Sequence, residues 1–110
     1  MKDDRLYLIH IDECIKRIES YTAGGYEDFI ASELIQDAVL RNLQTLAEST
    51  QRLSSGLKEE YPDVDWAGIA GFRNVIVHGY LQINMDRVWA VLEHDLPEFK
   101  QIVQAILAQC

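Results

Sequence analysis

The chain has 110 residues and a mass of 12.6 kDa, which is long enough to bury a core without disulfides or metal, so residues 1–110 are expected to form one domain. Hydrophobic residues at 48% and charged residues at 25% exclude a disordered chain, and no apolar run approaches the roughly 18 residues of a membrane span. The net charge of −8 argues against non-specific nucleic-acid binding; a nucleic-acid function would need a local cationic patch or the help of a partner.

The first helix is predicted from Asp3 to about Thr22. Its apolar residues follow a three-four alternation that places them on one face, and they are Leu8, Ile11, Ile15 and Ile18. The run Ala23-Gly24-Gly25 is expected to end this helix, because glycine accepts the left-handed conformation that closes many helices.

A second, long helix is predicted from Tyr26 or Glu27 to about Leu53. A short helical turn is expected from Leu57 to Tyr61. The residues from Pro62 to Asp65 then form a connector, and Asp65 is a suitable N-cap for the segment that follows.

A third substantial helix is predicted from Trp66 to about His78. Because it is apolar nearly all round, it should be the central and most buried helix, and Gly71 should let a neighbouring backbone approach closely. Asn84 is the expected N-cap of a last helix, which must kink or restart at Asp95-Leu96-Pro97. With no strand-like alternation, the predicted fold class is all-α, an antiparallel helical bundle of four to five helices with short connections.

The chemistry of the chain is concentrated between Gly71 and Tyr80, where Arg73, His78 and Tyr80 occur. A cation in the last turn followed by Gly79 is also what an ordinary capped helix end contains, so the spacing alone assigns no function. Two features favour a functional site. Arg73 lies within the most apolar helix, where a guanidinium is costly to bury without an anionic partner, and His78 and Tyr80 flank a glycine at a helix end, where side chains can face a cleft.

These residue types suit the handling of a phosphodiester. Arginine grips phosphate through a planar fork, histidine exchanges protons near neutral pH, and RNA carries its own nucleophile in the 2′-hydroxyl group. No metal or cofactor is therefore expected. Residues five apart are rotated by about 140° around a helix, so Arg73 and His78 do not share a face. Acid–base cleavage also needs two proton-transfer groups, and a two-fold homodimer would supply the second set.

Other candidate sites are weaker. His10 and His94 have no partners at metal-ligand spacing. Two acidic clusters are expected to be solvated loop charge rather than a metal site, and they are Glu59-Glu60 and Asp63 with Asp65.

The two cysteines, Cys14 and Cys110, lie near opposite ends of the chain without metal-ligand spacing. They are expected to be free thiols in a reducing cytoplasm. The first residues contain no apolar region of a signal peptide, which favours the same cytoplasmic localisation.

The segment around Arg73 resembles the HEPN superfamily, whose signature is an arginine, a polar residue and a histidine about four to six positions on, here Arg73, Asn74 and His78. Completed by Tyr80, the pattern Arg-x4-His-x-Tyr is similar to the HepT toxin family, the partner of MNT-type minimal nucleotidyltransferase antitoxins. The resemblance extends over nearly the whole chain, through the segments Asp4-Arg5-Leu6-Tyr7-Leu8, Tyr21-Thr22-Ala23-Gly24-Gly25, Gln36-Asp37-Ala38-Val39-Leu40-Arg41-Asn42-Leu43, Trp66-Ala67-Gly68-Ile69-Ala70-Gly71 and Asp95-Leu96-Pro97.

This resemblance implies an all-α homodimer with a metal-independent ribonuclease site in the cleft between protomers. Arg73 and His78 would be catalytic, and Asn74 would be the accompanying polar residue. The family's antitoxin adenylylates the motif tyrosine, here Tyr80, which would add bulk and negative charge beside the site. The predicted function is an endoribonuclease toxin of a type II- or type VII-like toxin–antitoxin pair. Its substrate would be mRNA or tRNA, and it could form a larger hetero-oligomer with its antitoxin.

Two other interpretations stay open. In the first, the chain is a non-catalytic companion that presents a nucleotide or substrate to a minimal nucleotidyltransferase, and its acidic charge would suit a basic partner. In the second, it is a plain helical dimerisation module, which leaves Arg73 unexplained.

Overall fold

The computed structural model describes residues 2–79 and 82–109, and this part of the chain is helical without a strand. No helix within it is long and apolar enough to cross a membrane. The all-α class is confirmed, α5 has the predicted bounds, and α1 matches its prediction to within one residue at each end. The elements are α1 (Lys2–Tyr21), α2 (Tyr26–Ala31), α3 (Glu33–Gln51), α4 (Ser55–Glu60), α5 (Trp66–His78), α6 (Met85–Ala90), a π-helical turn (Val91–Asp95) and α7 (Leu96–Gln109).

Helix α1 forms the centre of the core. Its predicted apolar face is buried, with Leu8, Ile11 and Ile15 fully covered and Ile18 only 1% exposed. Each such side chain contributes about 1.5–3 kcal/mol when buried. Helices α3 and α7 pack against α1, and α5 packs against α3. The three-four spacing therefore identified the face of α1 that α3 and α7 cover.

Polar contacts at the helix ends show that α1 runs antiparallel to α3 and α7. Asp4, in the first turn of α1, accepts hydrogen bonds from the backbone N–H of Ser54 at 2.8 Å and from its hydroxyl at 2.6 Å, just beyond the end of α3. Near the other end of α1, Glu19 accepts a hydrogen bond from the ammonium group of Lys100 in α7 at 2.9 Å. The antiparallel packing predicted from the sequence is present for these helices.

The predicted continuous helix from Tyr26 to about Leu53 is wrong, because the chain breaks at Ser32. Ser32 has an extended backbone (φ −123°, ψ 112°), and its hydroxyl accepts a hydrogen bond from the N–H of Ile35 at 3.1 Å. The side-chain amide of Gln36 donates to the carbonyl oxygens of Phe29 and Ile30 at 3.0 and 3.1 Å, which satisfies the end of α2. A serine N-cap contributes about 1 kcal/mol, so it offsets part of the cost of the break.

The described part of the chain also contains more helices than the four to five predicted. The break at Ser32 separates α2 from α3. The short turn expected near Leu57 is the helix α4. The Ser54 hydroxyl caps α4 by accepting a hydrogen bond from the N–H of Leu57 at 3.2 Å. Both differences arise from local capping bonds, which apolar periodicity does not report.

The expectation that α5 would be the most buried helix is also wrong. Only Trp66 and Ile76 are buried in it, whereas Val75 is 53% and Val77 39% exposed. A side chain at Gly71 would meet open space rather than a close backbone. The reason is that α5 packs extensively only against α3, so one apolar face is covered and the rest stays open.

The predicted interruption near Pro97 takes the form of a π-helical turn. The Asn84 side chain caps α6 by accepting hydrogen bonds from the N–H groups of Asp86 and Arg87, at 2.9 and 3.3 Å. The helix then widens over Val91–Asp95 before α7 begins at Leu96. Proline has no N–H to donate and crowds the turn before it, which is consistent with a widened turn at this position.

Candidate functional site

Helix α5 is fixed at both ends, and this positions its candidate functional side chains. At the start, the Asp65 carboxylate accepts a hydrogen bond from the N–H of Gly68 at 3.0 Å. At the end, Gly79 donates its N–H to the carbonyl oxygen of Val75 at 2.9 Å. A Cβ atom on Gly79 would lie 2.7 Å from that same oxygen. The φ of Gly79 is −105°, which any residue can adopt, so the backbone conformation does not require glycine. Glycine is needed after His78 because a side chain would crowd the carbonyl oxygen of Val75.

The half-buried Arg73 has the anionic partner that its position predicted. Its Nε atom lies 3.3 Å from Oε2 of Glu48 in α3. With side-chain exposures of 34% and 39%, this ion pair is worth at most about 1 kcal/mol. The main effect of this ion pair is on the position of Arg73. Glu48 holds the guanidinium group beside α3 through Nε, and the Nη atoms take no part in that contact.

Asn74 and His78 lie on the exposed side of α5. The Asn74 Oδ1 atom accepts a hydrogen bond from Nη1 of Arg73 at 3.3 Å, so the two neighbouring residues of the motif are in contact. His78 is exposed in the last turn of the helix. The α5 helix is regular through both residues, so the rotation of about 140° between Arg73 and His78 is retained. One chain does not bring these two side chains to one face.

Comparison with known proteins assigns the family. The family described as Ribonuclease HepT-like matches residues 11–106, which is most of the chain. The chain belongs to the HepT-like ribonuclease family. The resemblance inferred from the motif around Arg73 is thereby confirmed.

Relatives of this HepT-like chain carry ribonuclease names. A protein of Caldanaerobacter subterraneus named "Putative RNase" is 32% identical over 108 residues, covering 97% of this chain and 96% of the relative. The "mRNA nuclease HepT" of Shewanella oneidensis is 28% identical, and the match covers 90% of this chain and 92% of that relative.

A longer relative also exists. The "Gamma-glutamylcyclotransferase and putative RNase" of Methanocaldococcus jannaschii is 32% identical over 109 residues, but those residues make up only 49% of its length against 98% of this chain. The chain therefore spans about half of that protein. No solved structure matches the chain.

Arg41 is a neighbour of the HepT-like motif that had no assigned role in the sequence analysis. It lines a cavity of about 400 Å³ between α3 and α5, together with Ile76 and Val77. Arg41 and Glu48 are seven residues apart and share one face of α3, just as Arg73 and Val77, four apart, share one face of α5. Helical spacing therefore places Arg41 on the same side of the α3–α5 contact as Arg73, about 10 Å along α3 from Glu48, although Arg73 itself does not line the cavity. The spacing from Arg41 to Glu48 was visible in the sequence, but the pairing of α3 with α5 was not.

The charge of Arg41 is not neutralised by a salt bridge with any described residue, whereas Lys16, Arg17 and Lys100 pair with nearby acids. Asp37 lines the same cavity. In an acidic chain, Arg41 and Arg73 are the cations nearest to this pair of helices, and Asp37 and Glu48 lie beside them.

The motif tyrosine, Tyr80, lies outside the described residues. Its predicted modification is therefore carried forward only as a proposal.

The remaining candidates take structural positions. His10 in α1 has its Nδ1 atom 3.4 Å from the Ser49 hydroxyl oxygen in α3. Cys14 is fully buried, and burial raises the pKa of its thiol despite the nearby Arg17. The described residues contain no cluster of three or more histidine, cysteine or carboxylate side chains placed to hold a metal.

Proposed function

We propose that the chain is an endoribonuclease toxin that cleaves RNA by attack of the 2′-hydroxyl group on the adjacent phosphate, without a metal. The observation that carries this proposal is the position of Arg73, Asn74 and His78 at the accessible end of α5 in a chain of the HepT-like ribonuclease family. The ribonuclease names of the relatives support RNA as the substrate.

Each motif residue has a role that its contacts support. Arg73 would bind the phosphate and stabilise the charge that develops on it, since guanidinium donors bind phosphate oxygens in pairs. Asn74, through its contact with Nη1 of Arg73, would fix the orientation of that fork. His78 would transfer protons, as base to the 2′-hydroxyl group or as acid to the leaving oxygen.

The site would be shared across a homodimer. One regular α5 directs Arg73 and His78 to different faces and supplies one proton-transfer group, whereas a two-fold contact between two α5 helices would present the residues of both. The exposed Val75 and Val77 on the same helix support this arrangement, because they offer apolar surface beside the motif.

Arg41 would extend the phosphate-binding surface along the groove between α3 and α5. Together with Arg73 it would counteract the net charge of −8 in the region where RNA must approach. The backbone of the substrate would then contact both arginines.

A nuclease assay with a histidine variant tests this proposal. RNA should be cleaved in the presence of a chelator, and His78→Ala should lower the rate by about 100-fold or more, because acid–base groups contribute that much. The control is His94→Ala, which removes another exposed histidine. Equal activity of both variants, or loss of wild-type cleavage with chelator, would refute the proposed mechanism.

Control of the toxin would come from a nucleotidyltransferase antitoxin that adenylylates Tyr80. Each adenylyl group carries a negative phosphate, which would compete with RNA for Arg73 and His78. Co-expression with a nucleotidyltransferase encoded beside this chain should add adenylyl mass to the wild type and not to Tyr80→Phe. An active partner that leaves Tyr80 unmodified would exclude this form of control.

A second function is favoured by the acidic charge alone. The chain could be a non-catalytic companion that presents a nucleotide or substrate to a basic nucleotidyltransferase subunit. In that case the purified protein would leave RNA uncut, and it would either bind ATP or increase the activity of the partner enzyme. The His78→Ala variant would bind ATP or activate the partner as well as the wild type does.

A further inference from the structure

A groove opens between two helices of the bundle, α5 and α7, whose backbones stay apart. Helix α1 packs against α3 and α7, and α3 packs against α5. The backbones of α5 and α7 stay apart, and the two helices touch where the rings of Trp66 and Phe99 meet, with centroids 6.1 Å apart. The space between them is a groove of about 440 Å³, which is within the range of sites that bind ligands or side chains of a partner. It does not include Arg73, Asn74 or His78 among its lining residues.

The floor of this groove is apolar and belongs to three helices. Side chains of α3, α5 and α7 form it, and several of them are only partly covered by the rest of the chain. The floor residues are Leu46, Ala47, Ile69, Phe72, Phe99 and Ile102.

The rim of the groove is acidic. Four carboxylates line its edges, and no lysine, arginine or histidine is found among the described residues that line it. Asp65 also caps α5, whereas Asp95 is exposed on the π-helical turn and Glu98 is exposed in the first turn of α7. The fourth carboxylate is Asp63. An apolar floor between acidic edges is complementary to a helix with an apolar stripe flanked by lysine or arginine.

We propose that this groove binds a basic amphipathic helix of a partner protein. A helix fits because, beyond the Trp66–Phe99 contact, the groove separates two helices, and a third helix can pack over such a groove at an interaxial distance of about 8–10 Å. Its apolar residues would cover Ile69, Phe72 and Ile102, and its cations would pair with Asp95 and Glu98.

A second copy of this chain is a poor occupant. The chain has a net charge of −8, with 10 lysines and arginines against 18 acids. Its least acidic apolar helix, α5, carries only Arg73 as a fixed charge. Such a helix would offer one cation to four carboxylates, and the rest of the two copies would repel.

The π-helical turn supports a functional role for the groove independently. Val91 and Asp95, the first and last residues of that turn, both line the groove. Such turns are rare, and they are frequently found at functional sites. This inference goes beyond the proposed ribonuclease activity and does not depend on it.

A binding experiment with a defined probe tests the groove. The probe is a fluorescent peptide of leucine and lysine, roughly 18 residues or five turns long, with leucine at helical three-four spacing. It should bind the full chain at about 100 mM salt, while a scrambled peptide of the same composition should bind at least about tenfold more weakly, since only the ordered peptide forms an apolar face.

Charge reversal on the π-helical turn provides the matched pair of variants. Asp95→Lys should weaken binding by about tenfold or more, because it places a cation on the rim. Glu93→Lys has the same change in net charge on the same turn but does not line the groove, and it should stay within about twofold of the wild type. Glu98→Lys is a second rim variant in case Asp95→Lys does not fold.

Three results would overturn the inference. Equal weakening by the rim and control variants would show attraction to net charge alone. Equal binding of the scrambled peptide would show that no apolar floor is used. A change in oligomeric state caused by Asp95→Lys or Glu98→Lys, measured by sedimentation, would show that a second copy occupies the groove.

Discussion

At the scale of residues, the site depends on which charges are already paired. Arg73 is held by Glu48 at 3.3 Å, so part of its positive charge is balanced before any substrate arrives. Arg41, which lines the groove between α3 and α5, forms no salt bridge with another described residue. If RNA binds along this groove, Arg41 should contact a phosphate without first breaking a salt bridge.

The contribution of Arg41 is measurable as a salt dependence. In a His78→Ala background that prevents cleavage, Arg41→Gln should lower RNA affinity and reduce the slope of log affinity against log salt by about 0.7, the value for one phosphate contact on a single strand. The measurement is a titration of labelled RNA at several salt concentrations. Arg52→Gln, at the exposed C-cap of α3, is the control and should leave the slope unchanged. An equal change in both slopes would mean that only net charge matters.

At the scale of elements, the sequence predicted what depends on apolar periodicity and missed what depends on local capping or on a partner. The buried face of α1 and the bounds of α5 follow directly from spacing and from Asp65 and Gly79. The break at Ser32 does not, because it needs the Gln36 amide to satisfy the end of α2.

The candidate site was predictable to the same extent. Arg73, Asn74 and His78 form a motif that is local in sequence, and the need for an anion near Arg73 followed from burial. The identity of that anion, Glu48, and the proximity of Arg41 required knowledge of which helix packs on α5, because these residues are 25 or more positions away from the motif.

At the scale of the whole molecule, the open apolar surface of α5 supports the proposed homodimer. Val75 and Val77 would be better covered by a second protomer, and the proposed mechanism needs that protomer for a complete site. Exposed apolar surface beside functional residues is typical of an interface.

A charged residue in this surface should separate the protomers. Val75→Glu should raise the dimer dissociation constant by about 100-fold or more, because a buried, unpaired carboxylate costs several kcal/mol. Sedimentation would measure the assembly, and nuclease activity should fall together with it. The control is Leu6→Glu, at an apolar residue of α1 that is 64% exposed. A monomeric Val75→Glu with full activity would contradict the shared site.

The π-helical turn has a consequence for the phase of the C-terminal helix. Val88 precedes the turn, Leu92 lies within it and Leu96 follows it, and all three side chains are buried. Two successive steps of four residues would drift by about 80° in a regular helix, but the wider turn cancels much of this drift. A deletion of one residue here would give a more regular helix whose two halves could no longer both direct their buried residues into the core. The turn therefore works as a phase correction, and insertions or deletions should be tolerated less at this turn than in the loops of the same chain.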